Sequence, residues 1–176
     1  MSPAAWSRCA TLRALFSRVA TGTASPHTVA ASAAREYAPP AIIELFEEQL
    51  PALTAELTAG DAGLGEGVSL YHMLLEGVVF NAGTNALLED LADGALPGVR
   101  EGAERIERDE RWHVGFGLRC LIETQPSQER IDDLVARGGA AAEAWGDAVP
   151  AAIRERSART CAHRLHVSGF TETRAA

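Results

Sequence analysis

Apolar residues recur at intervals of three and four along most of this chain, which is the spacing of one face of a helix. This pattern predicts helices over residues 41–57, 68–91, 97–123, 128–145 and 151–166. Pro97 and Pro150 stand at the predicted starts of two helices, where a missing backbone N–H costs no hydrogen bond. No stretch shows the apolar–polar alternation of a half-buried strand. The pattern therefore predicts an all-α protein.

Two predicted helix faces carry ionisable residues at positions where burial requires apolar ones. In helix 97–123, steps of four and three select Val99, Ala103, Ile106, Glu110, His113, Gly117 and Cys120. In helix 68–91 the corresponding face is Met73, Glu76, Phe80, Gly83 and Leu87. Because burial of an unpaired carboxylate is costly, we expect Glu76 and Glu110 to have a partner, a proton or a metal. We interpret His72, one turn before Glu76, as a side chain that supports the site from behind or packs against a neighbouring helix, with an extra metal ligand as the alternative.

The two carboxylates are expected to lie at the same height. Glu76 is about 22 Å from the end of its helix at Leu91, and Glu110 is about 20 Å from the start of its helix at Pro97. If the short turn between them makes an antiparallel hairpin, Glu76, Glu110 and His113 meet. Carboxylate oxygen and imidazole nitrogen suit iron or manganese. The alternative from the pattern alone is a metal-free network of these groups, assisted by nearby arginines (Arg105, Arg108 and Arg111).

The segments YHMLLEGVVF (71–80) and ALPGVREGAERIERDERWHVGFG (95–117) resemble the C-terminal half of ribonucleotide reductase small subunits. They are more similar still to the related ligand-binding oxidases of the ferritin-like superfamily. This resemblance covers about residues 36–123. It implies a partial ferritin-like helical bundle built around an antiparallel hairpin, and a di-iron or manganese–iron oxidoreductase.

The resemblance also implies roles for individual residues. Glu76, Glu110 and His113 would be metal ligands. Tyr71 matches the tyrosine that the oxidase branch uses in a cross-link near the metals, which makes it the candidate catalytic residue. Asp109 resembles the acidic neighbour of the ligand pair, which often supports a ligand from behind.

The ligand set that the family needs is only half present. Four carboxylates and two histidines are expected, whereas the matching positions supply two and one. Residues 1–40 contain only His27 and Glu36 as candidate ligands. The sequence therefore resembles a C-terminal piece of the family, as a truncated gene or a mis-set start would produce. Either the monomer has an open groove, or a homodimer rebuilds four Glu and two His across a two-fold axis. The alternative is a metal-free helical fragment with a structural or interaction role and no catalysis.

Composition and charge limit the classes of protein to which this chain can belong. A chain of 176 residues is enough for one domain. The net charge of −8 argues against nucleic acid as a partner, because polyanions select basic surfaces. No apolar run is long enough to span a membrane. Three widely spaced cysteines (Cys9, Cys120 and Cys161) imply no disulfide framework, so we expect a reducing cytoplasm.

The charge also suggests how the chain is organised. Residues 1–35 contain four arginines and no acidic residue. We expect a leader over residues 1–38 that is poorly ordered or locally helical, with a targeting segment as the other reading. The helical domain would then cover residues 39–170, followed by a tail over 171–176. Trp112 and Trp145 are expected to be core or half-buried anchors.

Overall fold

The computed structural model describes residues 35–36, 38–60, 63–94 and 96–167. The chain divides into two compact units, Met1–Ala38 and Pro39–Ala176. The five long helices described below belong to the second unit. The predicted tail over 171–176, and all but three residues of the predicted leader, lie outside the described residues.

The described part of the chain is all-helical and has no strand, which confirms the predicted class. Helix α1 (40–59) consists of Pro40–Glu44, Leu45–Gln49 and Leu50–Ala59, and α2 (64–90) consists of Leu64–Val68, Ser69–Phe80 and Asn81–Asp90. Helices α3, α4 and α5 are Pro97–Thr124, Gln128–Glu143 and Ala151–Leu165, with a short 3₁₀ turn at Gly146–Ala148. No helix in these ranges is both long and apolar enough to cross a membrane.

The helix ends follow local chemistry. Pro97 begins α3, as expected for a residue with no N–H to satisfy. The Ser127 side chain accepts a hydrogen bond from the Arg130 backbone N–H and caps α4, an arrangement that satisfies one of the free donors of the first turn. At the end of α1, Gly60 has a φ of 81°, a left-handed conformation that glycine adopts without a Cβ clash.

The middle of α2 is a π-helical stretch, Ser69–Phe80. In a π-helix each backbone hydrogen bond spans five residues, whereas in an α-helix it spans four. Such stretches are rare, and they occur frequently at functional sites. This one carries Tyr71, His72 and Glu76, and nine of its twelve residues are buried. The unusual backbone and the candidate site residues therefore coincide.

Helix α2 is the centre of the packing and contacts α3, α4 and α5. The main core cluster draws on all four of these helices: Met73, Val78, Val114, Leu121, Ile131, Leu134, Ala142, Cys161 and Leu165. Two polar contacts add to this packing. Ser157 of α5 donates to the Asn81 side chain at 2.8 Å, and the Trp145 indole donates to the Val79 carbonyl at 2.9 Å. The half-buried Trp145 is the anchor that the sequence predicted.

Helices α2 and α3 approach each other very closely at Gly117. A Cβ at this position would lie 2.2 Å from the Cβ of His72, a distance that real side chains do not adopt. Only glycine therefore lets α3 lie against the turn of α2 that carries His72. Gly115, on the same helix, has open space around the same point.

We predict that Gly117→Ala lowers the free energy of unfolding by about 1–3 kcal/mol, because the added methyl group overpacks the contact with His72. Gly115→Ala is the matched control, and it should be neutral or stabilising by up to about 1 kcal/mol through helix propensity. Urea denaturation of the two variants measures both effects. Equal stabilities would contradict the close approach of the two helices.

Candidate metal centre

The carboxylate of Glu76 is buried between two imidazoles. Only 3% of Glu76 is exposed, so this charge depends on protein partners rather than on water. His72 Nδ1 lies 2.6 Å from Oε2, and His113 Nδ1 lies 2.9 Å from Oε1. Each carboxylate oxygen thus accepts a hydrogen bond from a different ring, one from the same helix and one from α3.

Glu110 lies beside this group in a different state. Its side chain is 9% exposed, and its Oε2 atom is buried without a hydrogen-bond partner among the described residues. The pKa of Glu110 is raised to about 7, mainly by burial and in part by the negative charges of Glu76 and Glu107. At neutral pH this carboxyl group therefore retains a proton in a large fraction of molecules.

The structure brings Glu76, Glu110 and His113 together, as the matched heights along the two helices predicted. The short connection between α2 and α3 makes the pair antiparallel, so equal distances from the turn correspond to equal heights. Glu76 contacts His113 directly, and its charge acts on Glu110. The assignment of these three residues as metal ligands stays a prediction.

His72 and its aromatic neighbours form the next layer. The interpretation that His72 supports Glu76 is confirmed by its hydrogen bond to Oε2. The His72 ring packs edge-on against Tyr71 at 5.1 Å and against Phe116 at 5.4 Å. Tyr71 is half-exposed and reaches the site through His72. Phe116 was missed in the sequence, although it lies one helical turn from His113.

The predicted buried face of α3 is wrong in part. Ala103, Glu110 and Gly117 are buried, but the other buried positions of α3 are Val114 and Leu121. The exposed fractions of Val99, Ile106 and His113 are 49%, 54% and 56%. Helix α2 packs along the line through 103, 110 and 117, so the neighbouring line is left half-exposed.

Two large apolar side chains are more exposed than the sequence predicted. Trp112 is 81% exposed and is not an anchor, because it points away from the face of α3 that α2 covers. Leu87, predicted to be part of the buried face of α2, is 42% exposed. Both side chains lie outside the packed contact between α2 and α3.

None of the three arginines that could assist a metal-free network pairs with Glu76 or Glu110 in the described part of the chain. Arg105 pairs with Glu101 at 2.5 Å, and Arg111 pairs with Glu107. These are pairs along α3 itself, one turn apart, and Arg108 is exposed. Both carboxylate oxygens of Glu76 have histidine partners instead.

The donor set fits a transition metal. Two carboxylates and two imidazoles are ligand types that iron and manganese accept, and the unpartnered Oε2 of Glu110 is a donor atom that lacks a protein partner. Glu110 also lines an open groove of about 260 Å³, together with residues of α2 and Trp145. Within the described residues, no group of three or more such side chains is already arranged around an ion position. His72 or His113 would therefore have to exchange its bond to Glu76 for a bond to the metal.

Comparison with known proteins does not add a family. No protein-family model, no curated protein and no solved structure matches this chain. The geometry of the site itself is therefore the basis for any function proposed for it.

We predict that Glu110 makes the stability of the metal-free protein depend on pH. Its pKa in the folded chain, about 7, lies above the ordinary value of 4.5. As pH rises between these values, the unfolded chain loses the proton first, so the folded state is progressively disfavoured. Wild type should therefore lose about 2 kcal/mol relative to Glu110→Gln as pH rises from about 5 to about 8.

Denaturation curves over this pH range measure the difference. Glu101→Gln, which changes an exposed carboxylate of the same helix, is the control and should follow wild type. If Glu110→Gln also follows wild type, Glu110 is not a buried, protonated carboxyl group.

Proposed function

We propose that this chain is a metal-binding protein of the ferritin-like, ribonucleotide reductase small subunit-like type, with oxidoreductase activity. Iron or manganese would be held by Glu76, Glu110 and His113. The observation that carries the proposal is the buried, unpartnered oxygen of Glu110 beside the carboxylate and imidazole of the Glu76–His113 pair. A reducing cytoplasmic location belongs to the same proposal.

The electrostatics of the site support a cation. Two carboxylates share a site in which little water reaches them, and the pKa of Glu110 is raised partly because Glu76 is near. A divalent cation would remove this repulsion and allow both groups to ionise. Metal binding should therefore release the proton of Glu110, since a ligating carboxylate must be deprotonated.

Each nearby side chain then has a specific task. His72 orients Glu76 through the 2.6 Å hydrogen bond, which holds Oε2 of Glu76 against the preceding turn of the same helix. Tyr71, whose ring packs against His72, is the proposed redox-active side chain. Iron or manganese bound at this site would supply one-electron redox chemistry with dioxygen.

The metal-free alternative also has one observation in its favour. The two histidines already satisfy both oxygens of Glu76 without an ion. In that case the chain would be a helical protein with a structural or interaction role. Metal content separates the two functions directly.

We predict that wild type, after aerobic loading with Fe(II) or Mn(II) and gel filtration, retains about one metal per chain by elemental analysis. Glu110→Ala and His113→Ala should each lower this content at least about tenfold, because each removes one of few ligands. His163→Ala, an exposed histidine on α5, is the matched control and should keep the metal. Absence of retained metal in wild type would support the metal-free alternative instead.

We further predict that Tyr71→Phe keeps the metal content but lowers oxygen consumption during Fe(II) oxidation with a reductant present. Tyr71 packs on the His72 ring and is not one of the proposed ligands, so its loss should change turnover rather than occupancy. An oxygen electrode, with metal content measured on the same sample, gives both readouts. Unchanged oxygen consumption would remove Tyr71 from the proposed chemistry.

A further inference from the structure

Helix α3 carries a second seam, beside the line that packs on α2, and two of its members also touch α2 at their edge: His113 at Glu76 and Phe116 at His72. We call it the outer stripe: Val99, Gly102, Ile106, Asp109, His113, Phe116 and Cys120. Its members recur at steps of three and four, which is the spacing of the contact positions of a coiled coil. Val99, Ile106 and Phe116 are 49%, 54% and 60% exposed, and the covered side of Phe116 packs against His72. Large apolar side chains exposed along one line of a helix favour an interaction site there.

The outer stripe is complementary to itself when it is reversed. In an antiparallel pair of identical helices, a residue near the start of one helix faces a residue near the end of the other. The numbers of two facing residues therefore always add up to the same value. Centred on Arg111, the facing pairs are Gly102 with Cys120, Ile106 with Phe116, and Asp109 with His113. A small residue meets a thiol, an aliphatic side chain meets an aromatic one, and a carboxylate meets an imidazole.

We propose that a second copy of this chain packs on the outer stripe, with the two α3 helices antiparallel about a two-fold axis near Arg111. Charge complementarity selects this occupant, because the only acidic member, Asp109, faces the only basic one, His113. By symmetry each of these contacts occurs twice. The exposed Ile106 and Phe116 would then be buried on both sides of the axis.

This pairing would complete the metal centre, a step that rests on the proposed function. Glu110 lies at the edge between the face packed on α2 and the outer stripe, so the axis brings the two Glu110 side chains towards each other. Two copies together supply four carboxylates, from Glu76 and Glu110, and two His113 imidazoles, which is the donor set of a di-metal carboxylate bundle.

Asp109 gains a role in the same arrangement. The Nδ1 atom of His113 already contacts Glu76, so Asp109 of the second copy would meet the other ring nitrogen, Nε2. A carboxylate on the far nitrogen of a ligand histidine fixes the orientation of the ring. The second copy would therefore hold His113 in place as well as add ligands.

A disulfide tests the register. Gly102→Cys, in a Cys9→Ser background, places a thiol opposite Cys120 of the second copy. Within one chain these positions are about 27 Å apart on one helix, so a disulfide between them can form only between copies. Gly102 has open space where the Cβ would be, so the variant should fold. Mild oxidation should convert most of this variant into a covalent dimer on a non-reducing gel.

Gly115→Cys in the same background is the matched control. It lies on the same helix, also in open space, but faces away from the outer stripe. We expect it to cross-link at least about tenfold less. Equal cross-linking of the two variants, or none in Gly102→Cys, would overturn the proposed register.

Sedimentation measures the association itself. Wild type should be a dimer at about 100 μM, and Ile106→Arg should be a monomer with an unchanged circular dichroism spectrum, because Ile106 is half-exposed. Gly115→Arg adds the same side chain on the other side of α3 and should stay dimeric. A monomeric wild type would overturn the proposal.

Metal content of the same samples separates this inference from the proposed function. A dimer that retains no metal supports the pairing and contradicts the proposed function. If monomeric Ile106→Arg retains as much metal as wild type, the proposed function stands and the shared site is overturned. If the metal is lost with the dimer, both are supported.

Discussion

The arrangement of this protein depends on one buried charge, the carboxylate of Glu76. It lies in the most buried stretch of the central helix, where water cannot compensate it, and two imidazoles take the place of water. One of them comes from α3, so the contact between α2 and α3 is polar at its centre and apolar around it. The absence of a side chain at Gly117 allows the two helices to approach closely enough for this contact. Glu76, His72, His113 and Gly117 therefore act as one unit.

Glu110 lies beside this unit, and its buried Oε2 atom has no hydrogen-bond partner among the described residues. Burial disfavours the ionised form of Glu110, the charge of Glu76 beside it adds to this cost, and the pKa of Glu110 is raised as a result. Stable proteins rarely retain a buried polar atom without a partner, so such an atom calls for an explanation. At low pH a bound proton neutralises Glu110. A metal ion would compensate the negative charge at pH values above neutrality. The burial and repulsion that disfavour an ionised Glu110 in the metal-free form are thus also the physical basis of the proposed affinity for a cation.

The outer surface of α3 is the other unusual feature. Most surface helices present charged residues to water, and α3 does so at Arg105, Arg108 and Arg111. Between these arginines and the line packed on α2, however, lies the outer stripe, with half-exposed apolar residues and His113. The candidate centre therefore lies at an open edge of the described bundle rather than inside it. A second copy packed at this edge, as proposed above, would add its own Glu76, Glu110 and His113.

The sequence by itself determined the all-helical class, the approximate helix bounds and the convergence of Glu76, Glu110 and His113. These follow from local periodicity and from the constant rise of a helix, which are encoded within each segment. The side of α3 that α2 covers was decided only by the tertiary structure: His113, Ile106 and Val99 seemed equivalent to Ala103 and Glu110 in the pattern, yet they lie half-exposed. A heptad-like pattern places residues on a broad face, and the rotation of that face depends on the close approach at Gly117. The bond between His72 and Glu76 and the raised pKa of Glu110 depend in the same way on burial, which no single segment determines.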